Sequence, residues 1–550
     1  MYKGKSCIDA RTIQEDKKRA SLLHRTATTS YPCSGQGLGE FRGSWSYRTC
    51  SKSAAKVLLF FDIRKFFAKK MLTDFIISRI KAELPFEPNA EKEGLFQALG
   101  TFIVSREERK AFILRGYAGT GKTSVMSALV RALEGLKQPC VLLAPTGRAA
   151  KVLSRYSGQQ AYTIHKKIYR QQQLGMEAFS LSDNLHRNTL FIVDEASMLS
   201  GNRDNGLFGS GCVLDDLVRY VYNGGGCSLL LVGDDAQLPP VGSLNSPALN
   251  ADFMANSYQL SVVSYQLTEV ARQALDSGIL SEATRIRTVL RTDRRQTAYA
   301  DRRQTDYEDK EISIEPNGSD IIQLKGEEVL ESLESSWREV GAEETLIITR
   351  SNKLTNLYNQ GVRARILWKE EDLSNGDRIM VTKNNYFWAT EYEDLEFLAN
   401  GDMFEVERLS NVHELYGFHF GKASLRSVDY NWEIEALVWL DTLTTDSPEA
   451  NYGMQKELFA RIAEDYPEIR NKKELVKKIY DSPYYNALQI RYAYAVTCHK
   501  AQGGQWRHVY IDSGLGDEWI SGLEETEKRE YLRWLYTALT RSTEQVYLLR

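Results

Sequence analysis

Long apolar runs are missing from this sequence. The strongest, "KVLLFFDIRKFF" at residues 56–67, is broken by Asp62 and Arg64. Nothing approaches the roughly 18 residues that a membrane-spanning helix needs, so no membrane association is expected. The seven cysteines (Cys7, Cys33, Cys50, Cys140, Cys212, Cys227 and Cys498) include no Cys-x-x-Cys pair. That argues against a zinc ribbon or a disulfide framework and suits a reducing, cytoplasmic setting. The body of the chain also lacks a basic excess. Residues 1–70 carry 15 Lys/Arg against 5 Asp/Glu, leaving 55 against 68 for the remainder. Any nucleic-acid binding must therefore come from a local groove rather than from overall charge.

What is present is the composition of an ordinary globular chain, 42% hydrophobic and 26% charged over 550 residues, too long for one core. Residues 1–70 are rich in Ser, Thr and Arg and poorly patterned. They read as a transit peptide, a disordered basic arm, or an extension ahead of a true start at Met71, where "MLTDFIISRIKAELPFEPN" opens an amphipathic pattern. From about residue 111, short apolar strands ("AFILR", "CVLLAPT", "TLFIVDE", "SLLLVGD") alternate with helical periodicity, which predicts a parallel sheet covered on both faces. "KKIYRQQQLGMEAFSLSDN" predicts a hairpin over 167–184 with its turn at Gly175. The octads "DRRQTAYA" and "DRRQTDYE" at 293–308 predict a solvated loop lengthened by duplication. A second α/β block starts at "TLIITRSN" (345–352), gives way to β-type alternation, and resumes at "YAYAV". The expected organisation is a first α/β domain over 71–275, a second over 276–374 and 486–550, and a β-rich insertion at 375–485.

Three motifs carry chemistry. "GYAGTGKTS" fits G-x-x-x-x-G-K-[ST] at Gly116, Gly121, Lys122 and Thr123. The loop amides of Gly119, Thr120 and Gly121, with Ser124 opening the helix, would cradle phosphates. Lys122 would reach the β/γ-phosphates and Thr123 would bind Mg2+. "LFIVDEAS" puts Asp194 and Glu195 at the carboxyl end of a buried strand, where parallel sheets bind ligands. Asp194 is placed to hold Mg2+ through water, and Glu195 to orient or deprotonate the attacking water. In "LLLVGDDAQLPPVG", Gln237 can sense a γ-phosphate, and Pro239-Pro240 makes a stiff segment able to lie under a base.

Together these motifs resemble the superfamily 1 helicases, and the pairing of "DEAS" with "GDDAQLPPVG" resembles the RecD-like branch of superfamily 1B. Related motifs follow in order: "APTGRAA" (144–150), "TIH" (163–165), "EVARQ" (269–273), "ITRSN" (348–352), "VTCHKAQGGQ" (496–505) and "YTALTRS" (536–542). The resemblance covers roughly residues 84–550. It implies two tandem RecA-like P-loop domains, a hairpin insertion in the first and an SH3-like insertion in the second. It also implies a monomeric, ATP- and Mg2+-dependent motor that moves 5′ to 3′ on single-stranded DNA and opens forked duplexes, with repair or recombination as its setting. Arg272 and Arg541 would approach the γ-phosphate from opposite sides of the interdomain cleft. Pro145, Thr146, His165, Pro240, Arg350, Thr497, His499 and Lys500 would contact DNA. In the last group of motifs, Gly503-Gly504 would let backbone approach the γ-phosphate, Gln502 would link the two sites, and Cys498 and Trp506 read as core.

Two departures stand out. "FEPNAEK" puts Lys92 where the family carries an adenine-contacting glutamine, with Gln97 a displaced substitute, and Gln505 replaces the usual motif V acid. Two other readings stay open: an ATP-gated clamp on single strands, and a P-loop regulatory ATPase with no nucleic-acid role. ATPase stimulation by single-stranded DNA separates the last from the others.

Overall fold

The computed structural model describes residues 69–549, apart from 172–178, 204–208, 271–276, 297–313, 391, 393–394, 396, 429–431, 446 and 516–521. The first domain is built on β1 (Lys110–Gly116), β2 (Cys140–Ala144), β3 (Ala161–Thr163), β6 (Leu190–Val193), β7 (Ser228–Gly233) and β8 (Ser261–Leu267). Their order is β3-β2-β6-β7-β1-β8, and every pair is parallel. The central strands are almost uniformly apolar because helices cover both faces. Leu95, Phe96, Leu129 and Leu153 close one side of the sheet, and Leu214, Leu217, Val221 and Met254 close the other. Between β3 and β6, β4 (Tyr169–Gln171) pairs antiparallel with β5 (Phe179–Leu181). This is the expected hairpin, and its turn lies outside the described residues.

The second sheet comprises β9 (Ile321–Leu324), β10 (Thr345–Thr349), β16 (Ala495–Thr497), β17 (Trp506–Asp512) and β18 (Ser542–Leu549), in the order β16-β10-β17-β18-β9 and again all parallel. The helices Gly278–Gln296 and Glu525–Leu539 pack on one face and Glu328–Val340 and Asn352–Arg365 on the other. The first helix takes in Asp293 to Gln296, so the duplicated octad begins as helix rather than loop. The rest of it lies outside the described residues.

Between β10 and β16, a closed barrel forms from β11 (Arg378–Val381), β12 (Met403–Leu415), β13 (Phe418–Ser427), β14 (Glu433–Trp439) and β15 (Leu488–Tyr492). Its last strand lies beyond residue 485, the expected end of the insertion. The barrel also carries two helices, Pro448–Glu464 and Lys472–Tyr480, which bury Leu458, Ile462 and Ile479 against Phe418, Phe420 and Trp439. Ser447 caps the first of them ahead of a proline at the first helical position, a start signal that the surrounding β alternation outweighed. The barrel interior is continuous with the core of the second sheet. At its root the fully buried Asp377 accepts from Arg363 (3.0 and 3.1 Å), Lys369 (3.0 Å), the Ser374 amide (2.7 Å) and the Tyr494 hydroxyl (2.9 Å).

Candidate active site and nucleic-acid groove

β1 ends at Gly116 and runs through a tight turn into the helix Lys122–Gly135. Gly119 (φ 74°) and Gly121 (φ 86°) take left-handed backbone there, which a side chain would strain. The turn aims the helix N-terminus, with its free amides and positive dipole end, into a cavity of about 500 Å3. Lys122 Nζ donates to the carbonyls of Gly116 (2.6 Å) and Tyr117 (2.9 Å) and stands 4.0 Å from Asp234 Oδ2. Asp194, Glu195 and Gln237 line the same cavity, and Gly503, Gly504 and Arg541 enter it from the second domain. Glu195 is held at φ 50°, an uncommon conformation for a residue with a side chain. The Arg541 guanidinium is fixed by the carbonyls of Thr537 (3.1 Å) and Gly504 (3.2 Å), with Nη1 3.8 Å from Glu195 Oε1.

The cavity sets Lys122 and Arg541 against Asp194 and Glu195. Burial pushes Asp194 up to about 6, helped by Glu195 and opposed by Lys122. Burial also pushes Asp234 up to about 6, against Lys122 and the Tyr536 hydroxyl. A hydroxyl (Thr123) and a carboxylate (Asp194) lining one wall are the hard oxygen donors that Mg2+ takes, and a divalent cation would relieve the Asp194–Glu195 repulsion. Gln237 Oε1 is buried with no hydrogen-bond partner, an acceptor suited to a water or a phosphate-bound proton. The residues present therefore fit Mg2+ and a nucleoside triphosphate.

The two domains are joined behind this cavity by buried hydrogen bonds. Tyr536 donates to Asp234 Oδ2 (2.6 Å) and accepts from the Ala118 amide (2.9 Å), so a second-domain side chain holds the phosphate loop itself. The Leu238 amide donates to Thr537 Oγ1 (2.9 Å), and the Leu238 carbonyl accepts from Gln502 Nε2 (2.9 Å). Breaking any of these strands a buried polar group at a cost of about 1–3 kcal/mol, so the Gln237–Pro240 segment is tied to the second domain. At Gly503 (φ 77°) a Cβ would stand 2.7 Å from Ala149 Cβ, a spacing only glycine permits.

A groove of about 590 Å3 runs on the other side of that segment. Pro145, Thr146 and Arg148 line it with His165, Pro239 and Pro240. Phe397, Asn400 and Gly401 of the barrel, and His499, Lys500 and Gln502 of the second domain, complete it. Lys500 Nζ donates to Asn400 Oδ1 at 2.6 Å, joining the barrel to the second domain. Burial pushes His165 down to about 4, so its imidazole is neutral near pH 7, with its ring 5.7 Å from that of Tyr169. Lys500 keeps contact with solvent, yet crowding by the groove walls, and then Arg491, push it down to about 8.

Residues 97–305 match the model of an AAA domain, and residues 492–549 match that of a UvrD-like helicase C-terminal domain. The chain is 28% identical to the ATP-dependent RecD2 DNA helicase of Deinococcus radiodurans over 202 residues, 36% of this chain and 24% of that one. It is 24% identical to the ATP-dependent DNA helicase Pif1 of a Psychrobacter species over 433 residues, 72% of this chain and 60% of that one. These matches support the resemblance to the superfamily 1B helicases. An uncharacterised protein of Acanthamoeba polyphaga mimivirus is 24% identical over 518 residues, 81% of this chain and 96% of that protein. The chain thus spans nearly all of the viral relative but 60% or less of the two named helicases.

Within this arrangement the expected residues fall into groups. Gly119, Gly121, Lys122, Thr123, Asp194, Glu195, Gln237, Gly504 and Arg541 share the nucleotide cavity. Gly116, Thr120 and Ser124 do not line it; the Thr120 hydroxyl turns back to the Tyr117 carbonyl (2.8 Å). Arg272 lies outside the described residues. Pro145, Thr146, His165, Pro240, His499 and Lys500 share the groove, whereas Arg350 and Thr497 are not among its lining residues. Lys92 is buried with its Nζ 5.6 Å from the centre of the Phe86 ring, while Gln97 sits exposed on its helix and is not among the cavity's lining residues. Burial pushes the Cys498 thiol up to about 12, which leaves it inert, and Trp506 is buried under the Arg148 guanidinium at 4.1 Å. Tyr536, Asp234 and Arg148 do not stand out in the sequence as site residues, although all three lie inside its motifs.

Proposed function

We propose that this protein is a Mg2+-dependent, DNA-stimulated ATPase that moves 5′ to 3′ along single-stranded DNA and unwinds duplexes, forked ones included. One observation carries the reading: the segment His499–Gln505 lines both the nucleotide cavity and the groove, through Gly503 and Gly504 on one side and His499, Lys500 and Gln502 on the other. A change in nucleotide state is thereby felt in the groove without any long relay. The named relatives, an ATP-dependent RecD2 DNA helicase and an ATP-dependent DNA helicase Pif1, support the substrate class and reaction.

In the chemical step, Lys122 and the loop amides hold the β/γ-phosphates, and Glu195 takes the proton of a water that Gln237 orients. Arg541 stabilises the charge on the transferring phosphoryl group, a contribution of about 10³–10⁵ in rate for such arginines. Mg2+ held by Thr123 and Asp194 would neutralise charge on the phosphate oxygens. Because Arg541 and Glu195 belong to different domains, hydrolysis depends on closure and closure becomes movement. The hairpin at 169–181 is proposed as the strand-separating pin. Forked duplexes bearing only a 5′ or only a 3′ single-stranded tail test the reading. Unwinding is expected for the 5′-tailed substrate, and unwinding confined to the 3′-tailed one would reverse the polarity.

A further inference from the structure

The nucleotide cavity abuts a second space. It shares Val152, Tyr156, Gln505 and Thr543 with a neighbouring pocket of about 420 Å3. The remaining charged walls of that pocket are Arg148, Lys151, Arg155 and Arg507 against Glu343 and Glu344, a cationic surplus. The partition between the two spaces is thin. Tyr156 donates to Gln505 Oε1 at 3.4 Å, a long contact between two exposed side chains. Tyr156 belongs to the helix Gly147–Ser157 of the first domain, and Gln505 directly follows the Gly503-Gly504 turn of the second. Arg148 braces this floor, donating to the Gln505 carbonyl (3.2 Å) while stacked on Trp506.

This geometry bears on the product side of the reaction. After in-line cleavage the free phosphate lies at the Arg541–Gly504 end of the cavity, and the diphosphate still occupies the phosphate loop between it and the entrance. The inner wall is carboxylate (Asp194, Glu195) and repels a dianion. The Tyr156–Gln505 wall carries no formal charge, and cations stand behind it. We infer that inorganic phosphate leaves through this basic pocket, with Tyr156 and Gln505 as a gate that opens when the two domains separate. The inference rests on the ATPase reading above. It gives the neutral amide at position 505 a purpose, since a carboxylate there would stand in the path of the anion.

The test separates cleavage from release. Quench-flow measures ATP cleavage, and stopped-flow with a fluorescent phosphate-binding reporter measures phosphate release, both on the full chain with Mg-ATP and a single-stranded oligonucleotide. Arg155→Glu reverses a charge that lines the pocket and not the nucleotide cavity. It is expected to slow release about five- to tenfold with cleavage unchanged, the effect of one charge near a dianion in a partly screened site. Gln505→Glu is expected to make release slower than cleavage, and added salt should relieve both defects. Unchanged release in both variants, or cleavage slowed as much as release, overturns the exit route. If the wild-type chain cleaves no ATP, the active-site reading fails first and the route falls with it.

Discussion

The nucleotide cavity and the groove are separated by a few residues and built on opposite electrical plans. The cavity gathers Lys122, Asp194, Glu195 and Arg541, with Asp234 behind it 4.0 Å from Lys122, and burial raises Asp194 and Asp234 to about 6. The groove, for a surface read as binding a polyanion, is sparingly charged. It offers prolines, Phe397, a neutral His165, an Arg148 stacked on Trp506, and a Lys500 already softened to about 8. A site that performs chemistry needs strong, preorganised fields. A track along which a chain must slide needs grip that can be released, and stacking with hydrogen bonds supplies it without a deep electrostatic well.

Three perturbations sharpen this contrast. The largest effect is expected for Lys122→Ala, which should abolish ATP turnover while single-strand affinity, followed by fluorescence anisotropy, stays near wild type. Normal turnover would remove the assignment of the cavity. Next is Tyr536→Phe, which deletes the hydroxyl joining Asp234 to the Ala118 amide. Stimulation of ATPase by DNA should fall about tenfold, from a buried-network loss of about 1–3 kcal/mol. Equal loss of basal and stimulated rates would reduce Tyr536 to a packing role. The smallest effect is in the groove. Lys500 is cationic below its pKa of about 8 and neutral above it, so its contribution to DNA affinity is present at pH 7 and lost by pH 9. A two- to fivefold rise in Kd over that range is expected, about the strength of one exposed ion pair. Lys500→Arg should flatten the profile, and an equally steep profile in that variant would place the titration elsewhere.

The same contrast explains how much is legible in the amino-acid sequence. The cavity is made from short, local motifs whose residue types dictate their chemistry, so Lys122, Asp194, Glu195, Gln237 and Arg541 can be named from residue order alone. The alternating sheets are legible for a similar reason, since parallel strands covered on both faces are continuous apolar runs. The groove is assembled from segments as distant as Pro145 and Lys500, and membership depends on where each chain direction turns. Arg350 and Thr497 sit in the right motifs and outside the groove. Tyr536 and Asp234 carry no such signal of their own in the sequence, because their importance lies in a pairing 302 residues apart. The barrel helices are hidden by the strands on either side of them.

The knot at Asp377 has a mechanical meaning. With five hydrogen bonds converging on one fully buried carboxylate and a core shared with the second sheet, the barrel has no soft joint at its base. A flap would yield when the strand beneath it is pulled; a bolted handle passes the pull on. Under the proposed reading, a pull on a strand held in the groove reaches the second domain through the Asn400–Lys500 hydrogen bond as well as through the root of the barrel.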